Sequence, residues 1–398
     1  MKKKFDKYLT YYLLILLLFS YYFLFTKHQV GNDSTISEWL INYEGGFTKR
    51  GIIGQICIEF ARIFELNLRT VIFLFQSIFC TIYFILLNKF LKKLDVERIL
   101  ILSIFTPIFI LYPIAEIEVL ARKEIIVFIF FLTYLFIPRE HKLKSFSFII
   151  FTILSVLVWE PVIFFFPLIF IFEIIEKKIN KFDYNFIKLF LLYLPSLFIS
   201  LIIIFDPLSN EQHENMALVL KNEFNENCYM SCRLLKEKSS ILQQFKGHYH
   251  LYSLEVLIRY LLIIIVGFFP LFILFNNSYL INKDLLIFKY FKKVISPFLF
   301  CFLPIIFLFA MGSDWGRWVN ISYVFFALIY FQLLISNNLK LNIENLGNGF
   351  LYKLKNKMFV LLFIIYCFGW SPKTSIAGDI SSFPGYRIPY KVFKNLTN

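Results

Sequence analysis

The stretch FSFIIFTILSVLVWEPVIFFFPLIFIFEII, residues 146–175, decides how this chain is arranged. Taken as one helix it is a single long apolar rod; taken as two, it is a hairpin, and every later segment changes sides. Trp159-Glu160-Pro161 interrupts it near the middle. Proline disfavours helical geometry in the residue before it, so two helices are expected, Phe146–Val158 and Val162–Ile175.

The rest of the chain has the same character. Of its 398 residues 59% are hydrophobic, 20% aromatic and only 17% charged, which excludes an ordinary soluble globular protein. Backbone polar groups in lipid must be satisfied internally, leaving helices or closed barrels. The apolar runs are continuous and lack the alternation of barrel strands, so the expected fold is all-α, a polytopic integral membrane protein. A span takes about 20 apolar residues, fewer where its ends are amphipathic. About eleven transmembrane helices follow: Tyr8–Phe25, Thr70–Leu87, Ile99–Ile114, Ile125–Ile137, Phe146–Val158, Val162–Ile175, Leu189–Phe205, Val256–Phe275, Val294–Met311, Val319–Ile335 and Met358–Trp370.

Charge supports the split at Glu160. With the amino terminus inside, the short loops 89–98, 138–145, 176–188, 276–293 and 336–357 become cytoplasmic, and together with residues 2–7 they hold 23 of the 41 basic residues, three or four in each segment. Short loops rich in Lys and Arg stay inside. The net charge of +14 is thus accounted for by topology and anionic lipid, with no nucleic-acid partner. The first apolar run is longer than a signal-peptide core and no Ala-x-Ala-like site follows it, so it is expected to stay as an anchor.

The whole chain, 1–398, is expected to be one membrane domain with two larger extracytoplasmic loops, 26–69 and 206–255, and an outside tail, 371–398. Within the first loop, Gly51–Phe64 has apolar residues spaced for an amphipathic helix lying along the membrane surface. Cys228 and Cys232 in the second loop would share an oxidising compartment, where a local disulfide can form. His248 and His250 lie in the same loop, but the ligand spacing is poor for zinc and no metal is expected.

Under this topology four polar clusters fall on one side, the outside: YEGGFTKRG (43–51), EIEVLARKE (116–124), WEP (159–161) and SDWGRW (313–318). Charges at span ends are costly unless they face a cavity or one another. Gly45 and Gly46 would let backbone approach a ligand closely, and Lys49 and Arg50 would supply phosphate donors; a plain re-entry turn among headgroups is the alternative. Arg122 and Lys123, at the start of the fourth span, could hold an anion with free helix amides or could snorkel to headgroups. Glu160, beside Trp159, is a candidate proton acceptor or a simply exposed acid at a hairpin tip. Asp314 and Arg317 are three apart and can pair, while Trp315 and Trp318 could stack on sugar rings or belong to an interfacial aromatic belt. A site with phosphate donors, carboxylates and aromatics beside lipid suits a lipid-linked sugar, and no soluble nucleotide-sugar domain is present.

In architecture, and in its GGFTKRG, ARKE and DWGRW elements, the chain resembles Wzy-type O-antigen or capsule repeat-unit polymerases of bacteria. The resemblance implies a GT-C-like enzyme of the inner membrane, active on its periplasmic face. It would polymerise undecaprenyl-diphosphate-linked oligosaccharide units without a cofactor, in the presence of membrane lipid and a chain-length regulator protein. Glu160, Asp314 and Glu44 are then the catalytic candidates, and Lys49, Arg50, Arg122, Lys123, Arg317, Trp159, Trp315 and Trp318 the diphosphate- and sugar-binding ones. Two rivals remain. GT-C-type single-sugar transferases carry a carboxylate in the first outside loop, where Asp33, Glu38 and Glu44 lie. A lipid-oligosaccharide flippase would place ionisable groups near the bilayer midplane, and here Arg259 is the main such residue.

Overall fold

The computed structural model describes residues 2–30, 34–205, 207–233, 235, 241–291, 293–347 and 349–377. Most of the expected tail and Asp33 therefore lie outside the described residues. The fold is mostly helical, and among the described residues the strands are Ser278–Leu280 and Leu339–Leu341, paired antiparallel with Ser278 opposite Leu341.

Among the described residues five helices are long and apolar enough to cross a membrane: Lys2–His28 (α1), Leu68–Leu91, Tyr184–Phe205, Leu254–Asn276 and Trp315–Ile335. Shorter apolar helices run over Glu124–Phe136, Lys144–Val158, Ile295–Met311 and Asn356–Phe368. Prolines explain two of the departures from the expected eleven. Ile99–Ile114 is not one helix: helix Arg98–Phe105 ends at Thr106, whose extended backbone precedes Pro107, and Tyr112–Ala115 is a single turn. The second half of the 146–175 stretch begins as a 3-10 helix, Glu160–Phe165, and becomes α-helical only over Phe166–Glu176. The first half ends where expected, at Val158, with Trp159 extended.

Burial ranks these elements. In Trp315–Ile335, 83% of the most apolar window is buried, against 28% in α1. A helix buried on all sides is a core helix, and this one is packed on by Glu124–Phe136, Phe166–Glu176, Leu254–Asn276 and Leu303–Met311. Phe325 stacks on Phe165 and meets Phe128 and Phe131 edge-on or tilted, and Phe268 packs edge-on to Tyr323.

The long loops are built into the body. Helix Gly51–Phe64 (α2) buries Ile53, Cys57, Ile58 and Ala61 and leaves Ile63 and Phe64 exposed. Helix Asn210–Phe224 (α3), opened by a capping box between Ser209 and Gln212, seats directly on the Gly45-Gly46 turn. A Cβ at Gly45 would lie 1.8 Å from the Gln212 carbonyl oxygen. The glycines thus admit this helix, and the expectation that they let backbone approach a ligand is corrected. Cys228 and Cys232 form a disulfide just beyond it.

Past Trp370, residues 371–377 thread back into the body. Thr374 O accepts from Gly316 N at 3.0 Å, Ser313 O accepts from Ile376 N at 2.9 Å, and Arg259 donates to Ile376 O at 3.1 Å. Arg259 is thereby assigned to holding this segment. A Cβ on Gly316 would sit 1.9 Å from Lys373 O, a backbone atom that cannot swing away. Gly316→Ala is expected to lower the stability of the detergent-solubilised protein by about 1–3 kcal/mol, the range for overpacking. A thermal midpoint equal to that of the unsubstituted protein would show that the segment is not seated there.

Candidate active site

All four polar clusters meet, and the residue they meet around is Glu38. It follows the short helical turn Ser34–Ser37, and its side chain is fully buried. An unpaired carboxylate in such a place is prohibitively costly. Its Oε1 accepts from Arg50 Nη1 at 2.8 Å and lies 3.6 Å from Arg317 Nη2, while its Oε2 accepts from Arg122 Nε at 3.0 Å. Burial alone would raise its pKa; Arg122, Arg317 and Arg50 outweigh that and hold it well below the usual carboxylate range.

Each arginine reaches a second acid. Arg50 grips Glu160 with two bonds of 2.7 Å, from Nε and Nη2. Arg317 grips Glu124 with bonds of 2.5 and 2.8 Å. Asp314 Oδ2 lies 3.4 Å from both Arg122 Nη1 and Arg317 Nη1. Such bidentate pairs fix geometry as well as charge. Burial pushes the Glu160 pKa up, but the Arg50 guanidinium and the neighbouring Lys49 bring it below its ordinary value.

Local structure aims these groups. Arg50 has φ 61, a left-handed conformation rare for a residue with a side chain. Lys123, buried behind it, donates an N–H from its Nζ to Arg50 O and so pins that conformation. Ala121 is also left-handed, with φ 51, and its carbonyl accepts from Trp39 Nε1 at 3.0 Å, tying the ARKE segment to the residue after Glu38. Asp314 precedes helix Trp315–Ile335, and Arg317 lies in its first turn.

The network has a floor and an edge. Glu38, Arg317 and Arg122 have side-chain exposures of 0%, 3% and 9%, whereas Asp314, Glu160 and Arg50 show 31%, 20% and 19%. A ligand therefore meets Asp314, Glu160 and Arg50 first. On another side lies an apolar cavity lined by Tyr83, Phe84, Phe109 and Phe128, with Arg122, Glu124 and Asn320 among its polar walls.

Three expectations are corrected. Glu44 is not in the network; it accepts from Arg62 at 2.8 Å and Gln55 at 2.7 Å, in a separate group with Glu59 and Glu223. Lys123 is too deeply buried to bind substrate and acts on the Arg50 backbone instead. The tryptophans are not open sugar platforms: Trp159 is fully buried against Phe165 and Trp318, and Trp315 is packed among Tyr252, Tyr260 and Phe309 with its N–H given to Phe309 O. Lys49 stays beside Glu160. Glu38 and Glu124 are the residues the sequence did not assign as site residues of the favoured enzyme. The available signal was arithmetic, since buried arginines demand partner acids and ARKE ends in one. Compared with protein-family models, curated proteins and solved structures, the chain matches none.

Burial pushes the Lys123 pKa down to about 7. Between about pH 7 and the ordinary lysine value the unfolded chain holds this proton and the folded chain has released it, so Lys123 makes stability rise with pH there. Thermal midpoints measured from pH 7 to pH 9 should climb in the unsubstituted protein, with a shallower slope in Lys123→Met; parallel slopes would refute the assignment.

Proposed function

We propose that the chain is a membrane glycosyltransferase that polymerises undecaprenyl-diphosphate-linked oligosaccharide repeat units on the periplasmic face of the inner membrane. One observation carries this reading: segments around residues 38–50, 121–124, 160 and 314–317 converge on a single arginine–carboxylate network, open at one edge and bordered by an apolar cavity. The shorter apolar helices fit the eleven-span topology if several cross at reduced length or in broken pairs, as Ile295–Phe300 and Leu303–Met311 would. That topology puts the network on the outside.

The chemistry follows from the order in which a ligand meets these groups. The acceptor hydroxyl attacks the anomeric carbon while the bond to the lipid diphosphate breaks, and the diphosphate leaves with the electron pair. Asp314, the most exposed acid of the network, or Glu160 takes the hydroxyl proton. Arg50 and Arg122 stabilise the charge growing on the leaving group, and Arg50 does so by exchanging part of its grip on Glu160 for phosphate oxygen. No cofactor enters this scheme.

The single-sugar transferase has one observation in its favour, the placement of the first-loop carboxylate Glu38 at the centre of the network. Deleting the gene in its native host and displaying the surface lipopolysaccharide on a gel separates the readings. Polymerisation requires collapse of the ladder to core plus one repeat unit, restored by the gene; a persistent ladder of altered mobility identifies the single-sugar transferase, and loss of every unit a flippase or earlier step. Of Asp314→Asn and Glu160→Gln, expressed at normal levels, the one that removes the proton acceptor should reduce long-chain product by roughly 100-fold to 10,000-fold, the range for loss of a proton-transfer group. Full-length ladders from both would remove these acids from the mechanism.

A further inference from the structure

The second loop holds a cluster that the proposed reaction does not use. His213, on α3, is buried, and its Nε2 lies 3.4 Å from Cys228 Sγ and 3.2 Å from Cys232 O. One imidazole nitrogen and both sulfurs fall within 4.8 Å of one another. With the disulfide closed, those sulfurs are not thiolate ligands.

The loop is also fastened by bonds that do not depend on the disulfide. Arg69 grips Glu226 and donates to Tyr229 at 2.7 Å, Arg62 pairs with Glu223 at 2.9 Å, and the hydroxyls of Ser37 and Ser231 are 2.9 Å apart. Reduction would leave Cys228 and Cys232 near their present Cα separation of 5.3 Å, still facing His213.

Tetrahedral zinc, with Zn–S of about 2.3 Å and Zn–N of about 2.0 Å, needs an N-to-S edge of about 3.5 Å. The His213–Cys228 edge, at 3.4 Å, is already at that length. The His213–Cys232 ligand atoms lie within 4.8 Å, and side-chain rotation must bring that edge to about 3.5 Å while the sulfur-to-sulfur edge opens to about 3.8 Å. We propose that His213, Cys228 and Cys232 form a zinc site whenever their disulfide is reduced, so that the loop is clamped by a covalent bond in one redox state and by a metal in the other. A dithiol supplies two electrons and two protons, becoming a disulfide itself, and zinc then expels the thiol protons as it binds. Water completes the coordination. The inference is independent of the glycosyl-transfer reading.

The test uses the full chain in detergent, reduced with a dithiol that is removed before cobalt(II) or zinc is added without oxygen. The expected result is one metal per chain with thiolate-to-cobalt charge-transfer absorption in the reduced protein, and none in the oxidised protein. His213→Ala leaves the disulfide intact, so its fold can be checked before reduction; once reduced, it should bind at least about tenfold more weakly. Cys228→Ser should do the same. No metal in the reduced protein, equal binding in the oxidised protein, or binding unchanged by both substitutions would each overturn the site, the last by moving it to the other four cysteines.

Discussion

The constraint on which this structure turns is the need to neutralise charge away from water. Three arginines sit at the base of an apolar body, and each must find an acid there or unfold the region around it. Glu38 answers to all three. Removing one partner from such a buried arrangement costs about 3–5 kcal/mol, because the remaining charge stays behind uncompensated. The network therefore fixes the relative positions of segments that have nothing else in common along the chain: a loop after the first helix, the entry to Glu124–Phe136, the hairpin tip at Glu160 and the first turn of the central helix.

That arrangement makes the site poised rather than empty. Its arginines are held by carboxylates, so an incoming anion competes with an internal one, and what it must displace differs across the network. Arg122 has one carboxylate at 3.0 Å and another only at 3.4 Å, whereas Arg317 is clamped on Glu124 and Arg50 on Glu160. The looser partnership and the exposed edge are where exchange is cheapest. The Arg317–Glu124 clamp, away from that edge, serves to keep Glu38 charged and in place.

How much of this was legible in the sequence depends on whether the responsible physics is local. The break at Trp159-Glu160-Pro161, the helix over Gly51–Phe64 and the shared address of the four polar clusters follow from proline geometry, apolar spacing and charge in the loops. The prolines at 107 and 167 were equally visible but lay inside apolar runs, where hydropathy overrode them. Glu38 stood out less than Glu44, its neighbour in the glycine-rich motif; only the folded turn shows that one points inward and the other toward Arg62. The tryptophans carried no sign of whether their faces would be open or packed, because that is settled by residues such as Phe165 and Tyr260, far away in sequence.

The threading of residues 371–377 beneath Gly316 bears on assembly. The Ser313–Arg317 turn gives one backbone bond to Thr374 and receives one from Ile376, and Tyr112 meets the Thr374 hydroxyl across 262 positions of sequence. During synthesis the described helices, the last of them Asn356–Phe368, all emerge before this stretch does. Until it arrives, the Gly316 amide and the Ser313 carbonyl lack their protein partners, and the charged turn is braced on one side only. A nascent chain can thus collect its apolar helices early while its polar centre stays unfinished, so that maturation of the site lags behind burial of the core.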